Sequence, residues 1–285
     1  MIVFSGQNSK ELAAKIVRGG FAEGKVERKT FPDGELYLRV ATNVKGKECV
    51  VVASTTSNDD LVELLLLLDA LNDQGAERII AVVPYLAYAR QDKAFLEGEA
   101  LSAKTVVKLV SGLCDEILTF NCHFLDKEGK EKYQSVEVNN LDAFPILAKH
   151  FQEELKDPIL IAPDKGSLEY AKTAAERMGC DFDNLSKTRV SSEEVEYEQK
   201  DLDVNGRDVL ILDDIISTGG TIIRASEFIR KQSPSSINVG CVHGVFARGT
   251  EGLKKAVDSL VCTDTIQRPE SKVSVSDQII EELKK

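Results

Sequence analysis

Two rhythms alternate along the chain. Short unbroken apolar runs predict strands at 2–4, 36–42, 49–53, 78–83, 116–120, 158–161, 208–212, 237–242 and 259–262. Between them, apolar positions recurring every three or four residues predict helices near 9–18, 59–73, 101–113, 141–155, 167–178, 221–231, 250–255 and 275–284. Runs such as Cys49–Ala53 and Val209–Leu212 carry no polar face, so both faces of those strands must be covered. Strands of that kind spaced by helices predict an α/β fold built on doubly wound parallel sheets. The order strand, polar turn, helix, strand from Cys49 to Pro84 is repeated from Asp208 to Gly244. With 285 residues this favours two domains, expected at 1–140 and 141–285, where Asn-Asn-Leu-Asp at 139–142 precedes a new helix.

Composition narrows the class. Hydrophobic residues at 42% and charged residues at 29% describe a soluble globular protein, not a disordered one. A net charge of −11 argues against a nucleic-acid partner. The most apolar stretch, Leu61–Leu71, contains Glu63 and Asp69 and is too short to span a bilayer, so no membrane partner is expected. Met1-Ile2-Val3-Phe4-Ser5 reads straight into a strand and a polar turn, so no secretory leader is expected. The six cysteines are scattered without Cys-x-x-Cys spacing and read as reduced, buried thiols of a cytoplasmic protein.

The most informative segment runs from Val209 to Ile222. Asp213 and Asp214 fall where open α/β sheets bind ligands, beyond a buried strand. Ser217, Thr218, Gly219 and Gly220 follow as a turn, and Thr221 opens an apolar helix. Small residues at a helix N-terminus can aim several backbone N–H groups at one phosphate, helped by the helix dipole. The carboxylates would repel that phosphate and suit sugar hydroxyls or a hydrated metal ion instead. A phosphate cradle beside a diol clamp is a site for a phosphorylated pentose. The spacing is neither a Walker-type loop nor the G-x-G-x-x-G of dinucleotide folds. It resembles the ribose-5-phosphate signature of type I phosphoribosyltransferases, and its paired acids resemble most the phosphoribosyl pyrophosphate (PRPP) synthetases, or ribose-phosphate pyrophosphokinases.

Further segments resemble that family in the same order. Phe31, Asp33 and Glu35 lie in a Pro/Asp-Gly turn similar to the family's adenine loop. Arg90, Gln91 and Asp92 close a nine-residue match, Pro84–Asp92, to its ATP segment, and Arg is the natural planar fork for phosphate oxygens. His123 matches its Asp-x-His motif, except that Asn121 replaces the usual acid. Asp164 sits in a segment like Ser-Pro-Asp-x-Gly, near the family's second metal. Lys187 and Arg189 resemble its Lys-x-Arg catalytic loop, ahead of an acidic run. Ser217 stands where the family often has an acid, and Thr263–Ile266 resembles a family segment near the end of the sugar domain, expected to be structural or to back the residues that touch the ligand.

The resemblance implies two domains of the type I phosphoribosyltransferase fold and transfer of the diphosphoryl group of ATP to ribose 5-phosphate. Lys187 and Arg189 would be catalytic. Phe31, Asp33, Glu35, Arg90, Gln91, Asp92 and His123 would bind ATP. Residues 213, 214 and 217–221 would bind ribose 5-phosphate, and His123 with Asp164 would hold Mg2+. It also implies a homo-oligomer, with a dimer favoured for so short a chain. A transferase that consumes PRPP would share 209–222 but has no need of 31–35 or 84–92. A non-catalytic homologue should have lost Lys187, Arg189 or His123.

Overall fold

The computed structural model describes residues 1–125, 127–163, 168–185, 187–189, 195–197 and 201–285. In chain order the elements of the first half are β1 (Ile2–Ser5), α1 (Lys10–Arg18), β2 (Ala22–Glu23), β3 (Val26–Thr30), β4 (Leu36–Val40), β5 (Glu48–Val52), α2 (Asn58–Asp73), β6 (Arg78–Val82), α3 (Ser102–Ser111), β7 (Glu116–Phe120), β8 (Gly129–Tyr133) and β9 (Val136–Leu141). The second half comprises α4 (Phe144–Glu154), β10 (Pro158–Ala162), α5 (Leu168–Met178), β11 (Asp181–Asn184), β12 (Lys187–Arg189), β13 (Val195–Tyr197), β14 (Asp208–Ile216), α6 (Gly220–Arg230), β15 (Ser236–Gly244), α7 (Glu251–Ala256), β16 (Ser259–Thr263), β17 (Ser271–Val273) and α8 (Ser276–Leu283). Among the described residues no helix is long and apolar enough to cross a membrane.

Two compact units result, and neither is continuous in sequence. Unit 1 takes Met1–Asp142, Thr265–Gln267 and Ser274–Lys285; unit 2 takes Ala143–Asp264 and Arg268–Val273. The last helix, read from sequence as part of a 141–285 domain, therefore packs in unit 1. Gln278 Nε2 donates to the Asp142 carbonyl at 2.8 Å, Asn139 Nδ2 to Glu282 Oε1 at 3.0 Å, and Lys15 Nζ to Ser274 Oγ at 3.1 Å.

Unit 1 holds a seven-stranded sheet in the order β2-β1-β5-β6-β7-β9-β8, parallel except for β8 at one edge. Its core pairs the fully buried Cys49, Val51 and Ala81 with Leu64, Leu67, Leu68 and Leu71 of α2. That helix starts on a capping box, in which Ser57 Oγ accepts from Asp60 N–H at 3.2 Å and Asp60 Oδ2 accepts from Ser57 N–H at 2.8 Å. The strand predicted at 36–42 is real but lies outside the sheet, as β4 of a separate antiparallel hairpin with β3. β9 lies where the sequence signalled a boundary. Its Asn139 and Asn140 are buried yet satisfied, Asn140 accepting from Cys122 N–H at 2.9 Å and donating to the Lys127 carbonyl at 2.9 Å.

Unit 2 holds a wholly parallel sheet in the order β11-β10-β14-β15-β16-β17, with β12 and β13 paired as a small antiparallel hairpin. β14 continues to Ile216 instead of ending at 212, because β15 runs alongside it as far as Gly244. Asp213 and Asp214 therefore sit inside a paired strand. The turn after it is correspondingly short, and α6 begins at Gly220, one residue before the expected start.

Candidate active site

Parallel strands deliver all their carboxyl ends to one edge of a sheet, which is why ligand sites gather there. In unit 2 that edge receives the end of β14 with its turn, the 244–249 loop after β15, and the β12 hairpin following β11. Asp213 and Asp214 are half-buried. Each turns a carboxylate oxygen back to the next amide: Asp214 N–H to Asp213 Oδ1 at 3.1 Å, and Ile215 N–H to Asp214 Oδ1 at 2.8 Å. The turn then exposes Thr218, half-buries Ser217, and passes through Gly219 in the left-handed conformation at φ 78° as the N-cap of α6. The N-cap glycine brings no side chain of its own to that first turn.

Gly219 has two reasons to be glycine. Its φ is one that L side chains avoid, and a Cβ there would stand 2.9 Å from Leu253 Cγ. The turn is also fixed from behind. Val245 and Phe246 N–H donate to the Ile216 carbonyl, each at 3.1 Å, and Ala247 N–H donates to the Ser217 carbonyl at 2.9 Å. Sequence reasoning missed this bracing loop. Its signal was the glycine pair Gly244 and Gly249, the first packed so closely that a Cβ would lie 2.5 Å from the Phe246 ring.

Leu253 is positioned by α7, which Glu270 tethers. The buried Glu270 Oε1 accepts from Thr250 Oγ1 at 3.1 Å and pairs with Lys254 Nζ at 2.6 Å. Burial pushes this carboxyl up, but the ammonium, a backbone amide and the hydroxyl together hold it below its ordinary value of 4.5. A depressed carboxyl stabilises the fold while ionised, and that contribution is lost as pH falls through the folded-state value. Stability should therefore fall as the pH drops below the ordinary carboxyl value of 4.5, and Glu270→Gln should flatten that slope in urea denaturation series. An unchanged slope would remove Glu270 from the acid response.

By backbone, Lys187 and Arg189 begin and end β12, with Lys187 opposite Tyr197 and Arg189 opposite Val195 in β13. Both lie on one short hairpin that leaves the sheet beyond β11. Asp164 lies outside the described residues.

In unit 1 the adjacent strands β5, β6 and β7 end at one edge, bringing the loops after 52, 82 and 120 to it. The serine- and threonine-rich loop after β5 braces the arginine segment. Thr55 N–H donates to the Tyr85 carbonyl at 2.9 Å, Ala87 N–H to Thr55 Oγ1 at 2.8 Å, and Tyr85 N–H to Ser54 Oγ at 3.2 Å. Ser54 Oγ in turn donates to the Thr265 carbonyl, which gives the 263–266 segment a structural part. Arg90 is exposed, and Gln91 and Asp92 are half-buried. Glu99 orders the following loop, one carboxylate oxygen accepting from Phe95 N–H at 2.6 Å, Leu96 N–H at 3.1 Å and Gln91 Nε2 at 3.3 Å. These amides hold its carboxyl below the usual range.

His123 is exposed beyond β7, while Asn121 is buried at φ 36° and donates to Asp142 Oδ1 at 2.8 Å. An acid at 121 would set two carboxylates against each other, so the carboxamide belongs to this local packing. Phe31, Asp33 and Glu35 are carried on the tip of the β3–β4 hairpin, apart from the strand-end loops in sequence order. Asp33 Oδ1 accepts from Glu35 N–H at 3.2 Å, and the Phe31 ring stands edge-on to Tyr37 at 6.1 Å with Lys29 Nζ 4.9 Å from its centre. At the hairpin base, Arg28 pairs with the buried Glu63 of α2, and a cavity of about 700 Å³ is lined by Gln7, Lys29, Glu35, Asp59 and Asp60.

Among the described residues no group of three or more His, Cys, Asp and Glu side chains is gathered closely enough to hold a metal ion. Of the two residues expected to hold Mg2+, His123 presents an exposed imidazole in unit 1, a donor type that a hydrated hard cation can meet through water, and Asp164 lies outside the described residues.

The fold defines the class. The whole chain superposes on the crystal structure of phosphoribosylpyrophosphate synthetase from Mycobacterium smegmatis with a TM-score of 0.83 and 24% identity, covering 99% of this chain and 97% of that one. The fold is thus an α/β phosphoribosyltransferase fold in both halves. Residues 1–113 match the N-terminal domain of ribose phosphate pyrophosphokinase, and residues 142–277 match a phosphoribosyl transferase domain. The ribose-phosphate pyrophosphokinase of Pyrococcus abyssi is 41% identical over 96% of this chain and 95% of its own length; that of Thermococcus kodakarensis is 41% identical over 96% and 98%. The chain belongs to the ribose-phosphate pyrophosphokinase family, enzymes that are diphosphotransferases.

Proposed function

We propose that this enzyme transfers the diphosphoryl group of ATP to the anomeric hydroxyl of ribose 5-phosphate, giving PRPP and AMP for nucleotide biosynthesis. One observation carries the reading above all. A left-handed glycine opens α6 one short turn beyond the strand that carries the two carboxylates, and the same chain carries the 84–92 segment.

In this scheme the amides of 218–221 and the hydroxyls of Ser217, Thr218 and Thr221 take the 5-phosphate. Asp213 and Asp214 accept hydrogen bonds from the ribose hydroxyls, which fixes the sugar so that its anomeric oxygen faces the nucleotide. Phe31 offers its ring to the adenine, while Asp33 and Glu35 accept from the exocyclic amine. Arg90 with Gln91 and Asp92 aligns the phosphate tail. The anomeric oxygen attacks the β-phosphorus in line, the bond from that phosphorus to the α,β-bridging oxygen breaks, and the hydroxyl proton is lost to solvent. Lys187 and Arg189 face the charge that develops on the moving group. Little covalent work is asked of the protein beyond positioning and charge neutralisation. Mg2+, held by His123 and Asp164 partly through water, would supply further neutralising charge on the polyphosphate when bound. The enzyme acts in the cytoplasm as a homo-oligomer, a dimer being the form we favour.

Incubation with ATP, Mg2+ and ribose 5-phosphate should release AMP and PRPP in equal amounts. Release of ADP would instead mean single-phosphoryl transfer and would end this reading.

A further inference from the structure

Arg268 lies in a short stretch, 268–273, that returns to unit 2 after an excursion of the chain into unit 1 at 265–267. Its guanidinium ends on two consecutive backbone carbonyls: Nε donates to the Gly244 carbonyl at 3.1 Å and Nη2 to the Val245 carbonyl at 3.1 Å. The same loop uses its amides in the opposite direction. Val245 and Phe246 N–H bind the Ile216 carbonyl, and Ala247 N–H binds the Ser217 carbonyl. Thus the loop is gripped on its carbonyl side by Arg268 and itself grips the first residues of the phosphate turn on its amide side.

The conformation so held is not one the loop would choose unaided. Phe246 adopts φ 47°, a region unfavourable for an aromatic residue, and Gly249 follows at φ 75°. A planar fork that satisfies two carbonyls at once is a means of over-determining such a backbone, and a lysine cannot reproduce it. Arg268 is anchored in turn: its own N–H donates to Ser271 Oγ at 3.0 Å, and Ser271 N–H donates to the Arg268 carbonyl at 3.0 Å.

We propose that Arg268 is a positioning residue for the ribose-phosphate turn, acting through the 244–247 loop to set where Ser217 and the α6 amides meet the 5-phosphate. The proposal rests on the assignment of 213–221 to ribose 5-phosphate. Removing the fork frees the loop, and the turn then pays an ordering cost each time it binds the sugar. Because the adenine loop and the 84–92 segment belong to unit 1, the defect falls on one substrate.

The test is steady-state kinetics on Arg268→Ala and Arg268→Lys, with hydrogen exchange at the amides of 245–247. For Arg268→Ala we expect the KM for ribose 5-phosphate to rise roughly tenfold, the KM for ATP to stay within about twofold, and the three amides to exchange faster. Arg268→Lys should fall between Arg268→Ala and the wild type. Parallel rises in both KM values, or faster exchange with an unchanged KM for ribose 5-phosphate, would overturn the proposal. If Arg268→Ala does not fold, Arg268→Lys alone decides it by the same ratio of KM values. Failure of the broader reading is distinguishable, since the wild type would then release no AMP with ribose 5-phosphate, while the exchange measurement would still report on the loop.

Discussion

Lys187→Ala is expected to lower turnover by roughly 10²–10³, with the KM values for ATP and ribose 5-phosphate changing little. On the proposed mechanism charge develops on the transferred group as it passes between the substrates, and binding of either substrate alone does not present that charge. In the proposed role, Lys187 would meet that charge only as it develops. Removing one such preorganised donor costs about 3–4 kcal/mol in the transition state and leaves ground-state binding to the other loops. Rapid-quench measurement of AMP release decides the point. A turnover within threefold of wild type would take Lys187 out of the mechanism, and a matching rise in KM would make it a binding residue instead.

Gly219→Val should damage both stability and sugar binding. A β-branched residue at φ 78° is strained by roughly 1–2 kcal/mol. Its Cβ would also lie 2.9 Å from Leu253 Cγ, an overpacking that typically costs about 1–3 kcal/mol. The urea midpoint should drop accordingly, and the KM for ribose 5-phosphate should rise steeply because a side chain now stands between backbone and phosphate. Adding Leu253→Ala opens the space. The double variant should therefore be more stable than the sum of the single losses predicts, with sugar binding still impaired. Full recovery of binding in the double variant would show that only the clash mattered and not the backbone conformation.

Much of this was legible from residue order, and the exceptions have physical causes. Unbroken apolar runs located β5, β6, β7, β10, β14 and β15 to within a few residues. β14 was read short because Asp213 and Asp214 interrupt the apolar run while their backbones go on pairing with β15. β3 escaped notice since Val26 is its single apolar residue, the strand lying on the surface as a hairpin arm. β9 itself went unread because its buried asparagines look like turn residues until their partners in neighbouring loops are known, although the first segment of unit 1 does end just beyond it, at Asp142. For the site, the glycine turn after paired acids was legible because its geometry is local: the structure has Gly219 left-handed at the start of α6, just past the strand carrying Asp213 and Asp214. Arg268 and Glu270 had no such signature. Their partners lie 16 to 24 positions away, and only the fold brings them together.

Because α8 closes against α1 and Asp142, the protein should resist being cut in two. Ile280 fills a spot so tight that a Cβ on Gly19 would come within 2.5 Å of it. A fragment ending at Asp142 would be born with that groove open to water and with the Ser54 hydroxyl deprived of its Thr265 partner. Chimeras swapping one half between relatives face the same demand, as a graft at residue 142 transplants a tail whose matching surface stays behind. Nascent chains meet it too, for the first unit completes itself only when the final helix has left the ribosome.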